Sequence, residues 1–368
     1  VYESLYIPNT SIRQITHMIL GIDGDFLCYF QAHGMQSRGG KLEDHTVQDF
    51  TKQALRTINY YSSKMLDNRV SQIIIFFDEG KSWRYDYLNN HGVRYKDRDK
   101  TKRELVNFND YRNHFRNTLI KHKFAVVAVS GYEADDVLHA TIKLIPSGEF
   151  LIFTGDSDLQ QLLSSEKDKE IVIINPLAQD GFPVLRTLHQ TKSESTPVND
   201  DFFAEDIPTK FIDNMPNAKY VDPAERLYIK MISGDSTDTI PSAFQYMDGD
   251  KKKTVGETRA ESFHRLQIPT PTLSDIKQLF VDRELRIEFA QKILSFAKLK
   301  AFNKINDFEK GLYRNLKCIM LDDIIYESHE IDKLRMMVNE QMKPSPGTDL
   351  GKIFRGTEYD FLTNYYKY

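Results

Sequence analysis

Apolar positions along this chain gather into short runs separated by helix-period text, and the runs end alike. Met18–Ile22, Gln72–Phe77, Val126–Val129 and Phe150–Phe153 are continuous, β-rich stretches, the pattern of strands covered on both faces. Ile171–Ile174 is a fifth such run. Helical spacing fills Thr46–Leu66 and the segment between the third and fourth runs. This alternation predicts an α/β fold with a mainly parallel sheet flanked by helices. The first four runs each empty into carboxylates: Asp23, Asp78, the Glu133-Ala-Asp135-Asp136 box and the Thr154-Gly-Asp156-Ser-Asp158 box. In an open parallel sheet the crevice beyond those strand ends is where ligands bind.

Farther along, the text changes character. Leu188–Ala218 is polar and Pro-punctuated, the best place for an insertion or boundary. Helical text resumes at Pro223 and reaches Gly234-Asp235-Ser-Thr-Asp238-Thr-Ile240-Pro241, where a helical turn would put Asp235 and Asp238 on one face. Lys251, Lys252 and Lys253 follow, then Gly256 and Arg259; a glycine opening a helix offers backbone N–H groups to a phosphate. Thr272–Tyr368 reads as mostly helical, with a Pro/Gly-rich break at Lys343–Gly351 and no recognisable chemistry. The expected organisation is one α/β unit over 1–218, with excursions at 81–123 and 188–218, and a helical region over 219–368.

Charge sharpens this picture. The 368-residue chain carries a net −4, yet Lys81–Lys123 alone carries +7 and the remainder −11. That excursion interleaves Arg84, Arg94, Lys96, Arg98 and Lys100 with Trp83, Tyr85, Tyr87, Tyr95, Phe108 and Tyr111, as a single-stranded nucleic-acid path would require. A solvated helical face with locally packed tyrosines would read the same way. The strand-end acids limit what the crevice can be. Two like charges about 4 Å apart repel by roughly 4 kcal/mol at an effective dielectric of 20. Converging carboxylates must therefore protonate, spread into solvent or hold cations, and an all-oxygen ligand set favours magnesium or manganese over zinc.

Several classes lack support. The two cysteines, Cys28 and Cys318, stand far apart and outside metal spacing, which suits a reducing cytoplasm. The ten histidines form no HExxH, and no GxSxG or P-loop occurs. No secretory leader or long apolar span is visible, so neither export nor a membrane is expected.

Taken in order, Ile22-Asp23-Gly24, Phe77-Asp78, the Glu133–Asp136 box, the Thr154–Leu162 box and the Gly234–Pro241 turn resemble the flap endonuclease and phage 5′-exonuclease family. The likeness is strongest to its phage members with ribonuclease H activity and spans nearly the whole chain. It implies a PIN-like fold with a basic helical arch and a C-terminal helix–three-turn–helix that grips duplex backbone and binds a monovalent cation. It also implies two divalent cations, Mg2+ with Mn2+ as a substitute, held by Asp23, Asp78, Glu133, Asp135, Asp136, Asp156, Asp158, Asp235 and Asp238. By the same resemblance Tyr95 stacks on a terminal base, Lys96 stabilises the scissile phosphate, and Arg98, Arg94 or Lys100 completes the arch motif. The Ile-Pro turn of the family is interrupted here by Ser242–Thr254. The implied substrates are RNA–DNA hybrid, duplex DNA from its 5′ end and 5′ flaps, during primer removal. The implied partners are a single-strand-binding protein and a sliding clamp, with the chain acting as a monomer. The rival readings are an endoribonuclease on single-stranded RNA and an inactive DNA-junction binder.

Overall fold

The computed structural model describes residues 18–37, 41–65, 70–96, 105, 107–145, 147–163, 169–177, 184–187, 218–248, 250–266, 268, 272–297, 304–342 and 348–359. Arg98, Lys100 and residues 188–217 of the polar insertion lie outside them.

Among the described residues, seven strands form one sheet: β1 (Met18–Asp23), β2 (Val70–Phe76), β3 (Ala125–Val127), β4 (Gly148–Phe153), β5 (Lys169–Asn175), β6 (Val184–Thr187) and β7 (Ala218–Tyr220). Their spatial order is β3-β2-β1-β4-β5-β6-β7, and the first five run parallel. β6 turns antiparallel to β5, and β7 pairs parallel with β6. The expected parallel core is therefore present, and every residue of β1 is buried, as its unbroken apolar run requires. The third strand is shorter than its apolar run, because Ala128 and Val129 are buried but leave the ladder.

Helices α1 (Gly24–Ser37), α2 (Val47–Asn59), α3 (Trp83–Asn90), α4 (Phe108–Lys121) and α5 (Ala134–Leu144) connect the strands. α2 starts where Thr46 and Asp49 form a reciprocal capping box, and it continues into a π-helical turn, Tyr60–Met65. After the sheet come α6 (Pro223–Ser233), a hairpin of β8 (Gln245–Asp248) and β9 (Lys251–Thr254), and α7 (Glu257–Arg265). Then follow α8 (Leu273–Val281), α9 (Arg283–Phe296), α10 (Ile305–Ile319), α11 (Ser328–Gln341) and α12 (Leu350–Ile353). The interruption at Ser242–Thr254 is thus a two-stranded hairpin between two helices.

Two apolar clusters cover the sheet's faces. One packs Leu27, Phe50, Phe115 and Phe153, and is closed by Leu350 and Phe354 from near the C-terminus. The other gathers Phe76, Val137, Leu138 and Ile152 under Leu334 and Val338 of α11. A third cluster holds α6 to α10 together and draws in Leu88 and Tyr95, with Trp83, Tyr85 and Tyr87 packed against it. The aromatic interleaving of the basic excursion is therefore mostly packing: α3 lays its rings on the helical region. Among the described residues, no helix is long and apolar enough to cross a membrane.

Candidate active site

Chain direction sets the site. From β1 the chain winds outward through β2 to β3, then returns to place β4 on the other side of β1. That reversal opens a crevice at the C-terminal ends of β1 and β4, the switch point where α/β sheets bind ligands. A cavity of about 720 Å³ lies there, lined by Asp23, Asp78, Glu133, Asp135, Asp156, Asp158, Asp235 and Asp238. Glycine lets the walls close: a Cβ on Gly155 would stand 2.3 Å from the Phe26 ring. At Gly234 a positive φ of 75° allows the turn after α6 to fold back on Ile240.

Local hydrogen bonds aim the acids. Asp23 accepts from the Phe26 N–H at 2.9 Å and from the Thr154 hydroxyl at 3.0 Å. Asp78 accepts from the Ala134 N–H at 2.8 Å, while its own N–H donates to Asp25. Glu133 precedes α5 and forms a capping box with Asp136. Asp235 and Asp238 are not on a helix. They sit in a turn closed by the Asp235–Ile240 bridge, where Asp235 accepts from the Thr237 N–H at 2.8 Å. No described residue donates to the Asp135 carboxylate, which enters the cavity from the first turn of α5.

The electrostatics are those of a site short of positive charge. Burial pushes Asp23 up to about 7, and Asp25 and Asp156 repel it further. Burial also raises Asp135 well above the carboxylate range, reinforced by Asp156, Asp23, Glu133 and Asp78. Asp158 is pushed up to about 7 by burial and Asp156, against the pull of Lys230. For Asp235 the burial penalty is outweighed by Lys230, which holds it below its usual value. Oxygen donors in this number fit hard divalent cations. Yet among the described residues no three acidic, His or Cys side chains already converge as a ready ligand set. Ammonium groups stand between them instead: Lys96 Nζ is 2.5 Å from Glu133, and Lys230 spans Asp158 and Asp235.

These shifts fix a pH dependence. A carboxylate raised in the folded state stabilises the fold fully below its unfolded value near 3.8, and that contribution is lost as pH climbs to about 7. In EDTA the protein should therefore melt several degrees lower at about pH 8 than at about pH 5, and saturating magnesium should remove most of the gap. Thermal unfolding by circular dichroism checks this; a flat profile in EDTA contradicts it.

Three expected site residues do not line the cavity. Asp136 is fully buried, shares two hydrogen bonds with Arg84 at 2.5 and 2.8 Å, and accepts from the Tyr326 hydroxyl at 2.6 Å. In this arrangement it serves as the counter-ion of Arg84 and does not line the cavity. Arg84 is only 3 % exposed and also donates to the Cys318 carbonyl, so it does not face a nucleic acid. Tyr95 is 4 % exposed, its hydroxyl on Glu133 at 3.0 Å and on Asp238 at 3.1 Å, and its ring cannot reach a terminal base in this arrangement. Lys96, next along, does line the cavity, held by a left-handed backbone (φ 50°) and by its N–H on the Asp238 carbonyl at 2.9 Å. Arg94, Lys252, Lys253, Gly256 and Arg259 are exposed, the lysines on β9 and Gly256 as N-cap of α7.

The sequence reading missed other lining residues. Arg112 of α4 pairs with Asp25 and donates to the Asp78 carbonyl at 2.8 Å. Lys230, Arg226 and Glu257 close the far wall. Tyr29 stacks on Phe108 at 4.3 Å between centroids on the cavity's rim, with Tyr29 44 % exposed. A signal existed for Tyr29, which lies six residues after Asp23 on the helix that leaves the same strand.

Comparison with known proteins agrees with this geometry. Bacteriophage T5 5′-exonuclease with divalent zinc ions bound superposes with a TM-score of 0.53 at 18 % identity, over 89 % of this chain and 100 % of that one. A T5 flap endonuclease in a pseudo-enzyme–product complex with DNA and metal ions gives 0.51 at 17 %, over 89 % and 99 %. At such identities the likeness speaks for the fold. No curated protein sequence matches the chain. The family model that does match is the 5′-3′ exonuclease N-terminal, resolvase-like domain, over residues 18–194. Residues 18–194, nearly half of the chain, thus match the 5′-3′ exonuclease N-terminal domain model and carry strand-end acids at the switch point of a parallel sheet.

Proposed function

We propose that this chain is a divalent-cation-dependent 5′-nuclease that hydrolyses phosphodiester bonds at the 5′ ends of RNA–DNA hybrids, nicked duplexes and 5′ flaps, and so removes primers in phage DNA replication. One observation carries the reading: ten acids from both halves of the chain, eight of them the strand-end and turn acids expected as cation ligands, line a single cavity together with Lys96. Asp23, Asp78, Glu133, Asp135, Asp156, Asp158, Asp235 and Asp238 would hold two Mg2+, or Mn2+. Such cations supply Lewis acidity toward the phosphate and make water a better nucleophile at neutral pH. The chain's own side chains supply the rest. The Lys96 ammonium faces the cavity and is placed to offset charge building on the scissile phosphate. Tyr29, backed by Phe108, presents a ring on which a base can stack. Exposed Lys251, Lys252 and Lys253 on β9, with the Gly256 N-cap beside them, form a cationic edge suited to duplex phosphates.

The unit α6–turn–hairpin–α7 favours a duplex-anchored enzyme, since cutting single-stranded RNA would not need it. The test compares 5′-labelled RNA–DNA hybrid, 5′-flap DNA and single-stranded RNA, each with magnesium and with EDTA. Short 5′ products should form from hybrid and flap, in magnesium only. Cleavage confined to single-stranded RNA, or binding of branched DNA without cleavage, contradicts the proposal.

A further inference from the structure

Lys230 lies in the last turn of α6, beside Met231 and Ile232, which are buried in the helical core. Its ammonium nitrogen stands 2.6 Å from each oxygen of Asp158 and 2.6 Å from Oδ2 of Asp235. The two acids come from different places, one just after β4 and the other in the turn that follows α6. All three side chains are largely withdrawn from water, at 14 %, 19 % and 7 % exposure. At Asp158 Oδ1 the contact is one of charge, because that oxygen has no well-directed hydrogen-bond donor. An ammonium touching three carboxylate oxygens serves as a bound cation serves, a point charge between two groups that otherwise repel. The other half of the cavity differs. The charged groups acting on Asp23 and Asp135 are other carboxylates, and the ammonium on that side, Lys96, sits on Glu133 and does not bridge Asp23 and Asp135.

We propose that Lys230 is the resident cation of the Asp158–Asp235 half of the cavity, a specificity-determining residue that a second divalent cation must displace. This rests on the nuclease reading above and adds an order of events to it. The half built on Asp23 and Asp135 fills first. The Asp158–Asp235 half fills only when Lys230 swings away on its flexible four-carbon stem. Because Lys230 lines the same cavity, the next negative group it meets is a phosphate of the seated substrate. Substrate therefore draws the ammonium off the two acids and opens them, and by reciprocity a cation entering there strengthens the hold on phosphate. Full loading is thereby tied to the presence of substrate.

The test is Mn2+ binding to the full chain without nucleic acid, by calorimetry with paramagnetic resonance counting the free ion. It compares wild type, Lys230→Gln and Lys230→Arg, each checked for folding by circular dichroism in EDTA. Wild type should bind one ion tightly and a second weakly. Lys230→Gln should tighten the second ion by roughly tenfold or more, since the competing charge is gone. Lys230→Arg, which keeps the charge and thereby the fold, should leave the second ion as weak as in wild type. Equal second-ion affinity in wild type and Lys230→Gln, or a tighter second ion in Lys230→Arg, overturns the inference alone. Failure of all three proteins to bind Mn2+ overturns the nuclease reading and this inference with it.

Discussion

Replacing Asp135 by Asn is expected to slow cleavage of a 5′ flap by about 10³-fold or more, roughly 4 kcal/mol of transition-state stabilisation. The substitution keeps the shape of the side chain and removes one charge. Asp135 enters the cavity from the first turn of α5, no described residue donates to it, and four other carboxylates repel it. A group so placed weakens the cation-free fold and has value only when positive charge arrives. The Asn variant should accordingly match or exceed wild-type thermal stability in EDTA while losing catalysis, the opposition expected where stability is given up for function. Single-turnover rates on a 5′-labelled flap at saturating magnesium, paired with melting curves in EDTA, measure both quantities. A wild-type rate in the variant would remove Asp135 from the cation set.

The adjacent carboxylate should behave in the opposite way. Arg84→Ala is expected to cost about 3–5 kcal/mol of folding stability in urea, because Asp136 would be left buried and charged without its counter-ion. The Tyr326 hydroxyl alone cannot replace the two guanidinium bonds, and the Cys318 carbonyl would lose its donor as well. Burial opposes ionisation of Asp136, yet Arg84 and the Tyr326 hydroxyl hold it below the usual carboxylate range, so the pair is ionised at neutral pH. Mn2+ stoichiometry in Asp136→Asn should equal that of wild type, since this side chain does not line the cavity. A loss under 1 kcal/mol in Arg84→Ala, or a missing ion in Asp136→Asn, would return Asp136 to the cation site.

The contrast between these neighbours shows where a sequence stops being readable. Strand-end acids were legible because a parallel strand buried on both faces is one apolar run, and the residue after it lies at the crevice. Asp135 and Asp136 are indistinguishable in text, but one step along a helix turns the side chain by about 100°. That step carries Asp136 from the cavity to Arg84, on a helix far away in sequence. Tyr95 misled for a related reason. Aromatics among basic residues describe a stacking path and a helix packed on a core equally well, and only the third apolar cluster decides between them. The turn at Asp235 deceived by spacing, since three residues apart fits a helical face as well as a bridged turn. Lys230 and Arg112 gave no signal as cavity residues, because their partners Asp158 and Asp25 lie 72 and 87 residues away and the pair of Lys230 with nearby Asp235 reads as an ordinary local contact.

The proposed nuclease mechanism requires that acids from distant parts of the chain hold divalent ions in one hollow. Anomalous diffraction from crystals soaked in manganese tests it most directly. Ion peaks are expected within coordination distance of carboxylates among Asp23, Asp78, Glu133, Asp135, Asp156, Asp158, Asp235 and Asp238, and none at Asp136. A cavity without an ion under saturating manganese, or peaks only on the outer surface, would contradict it.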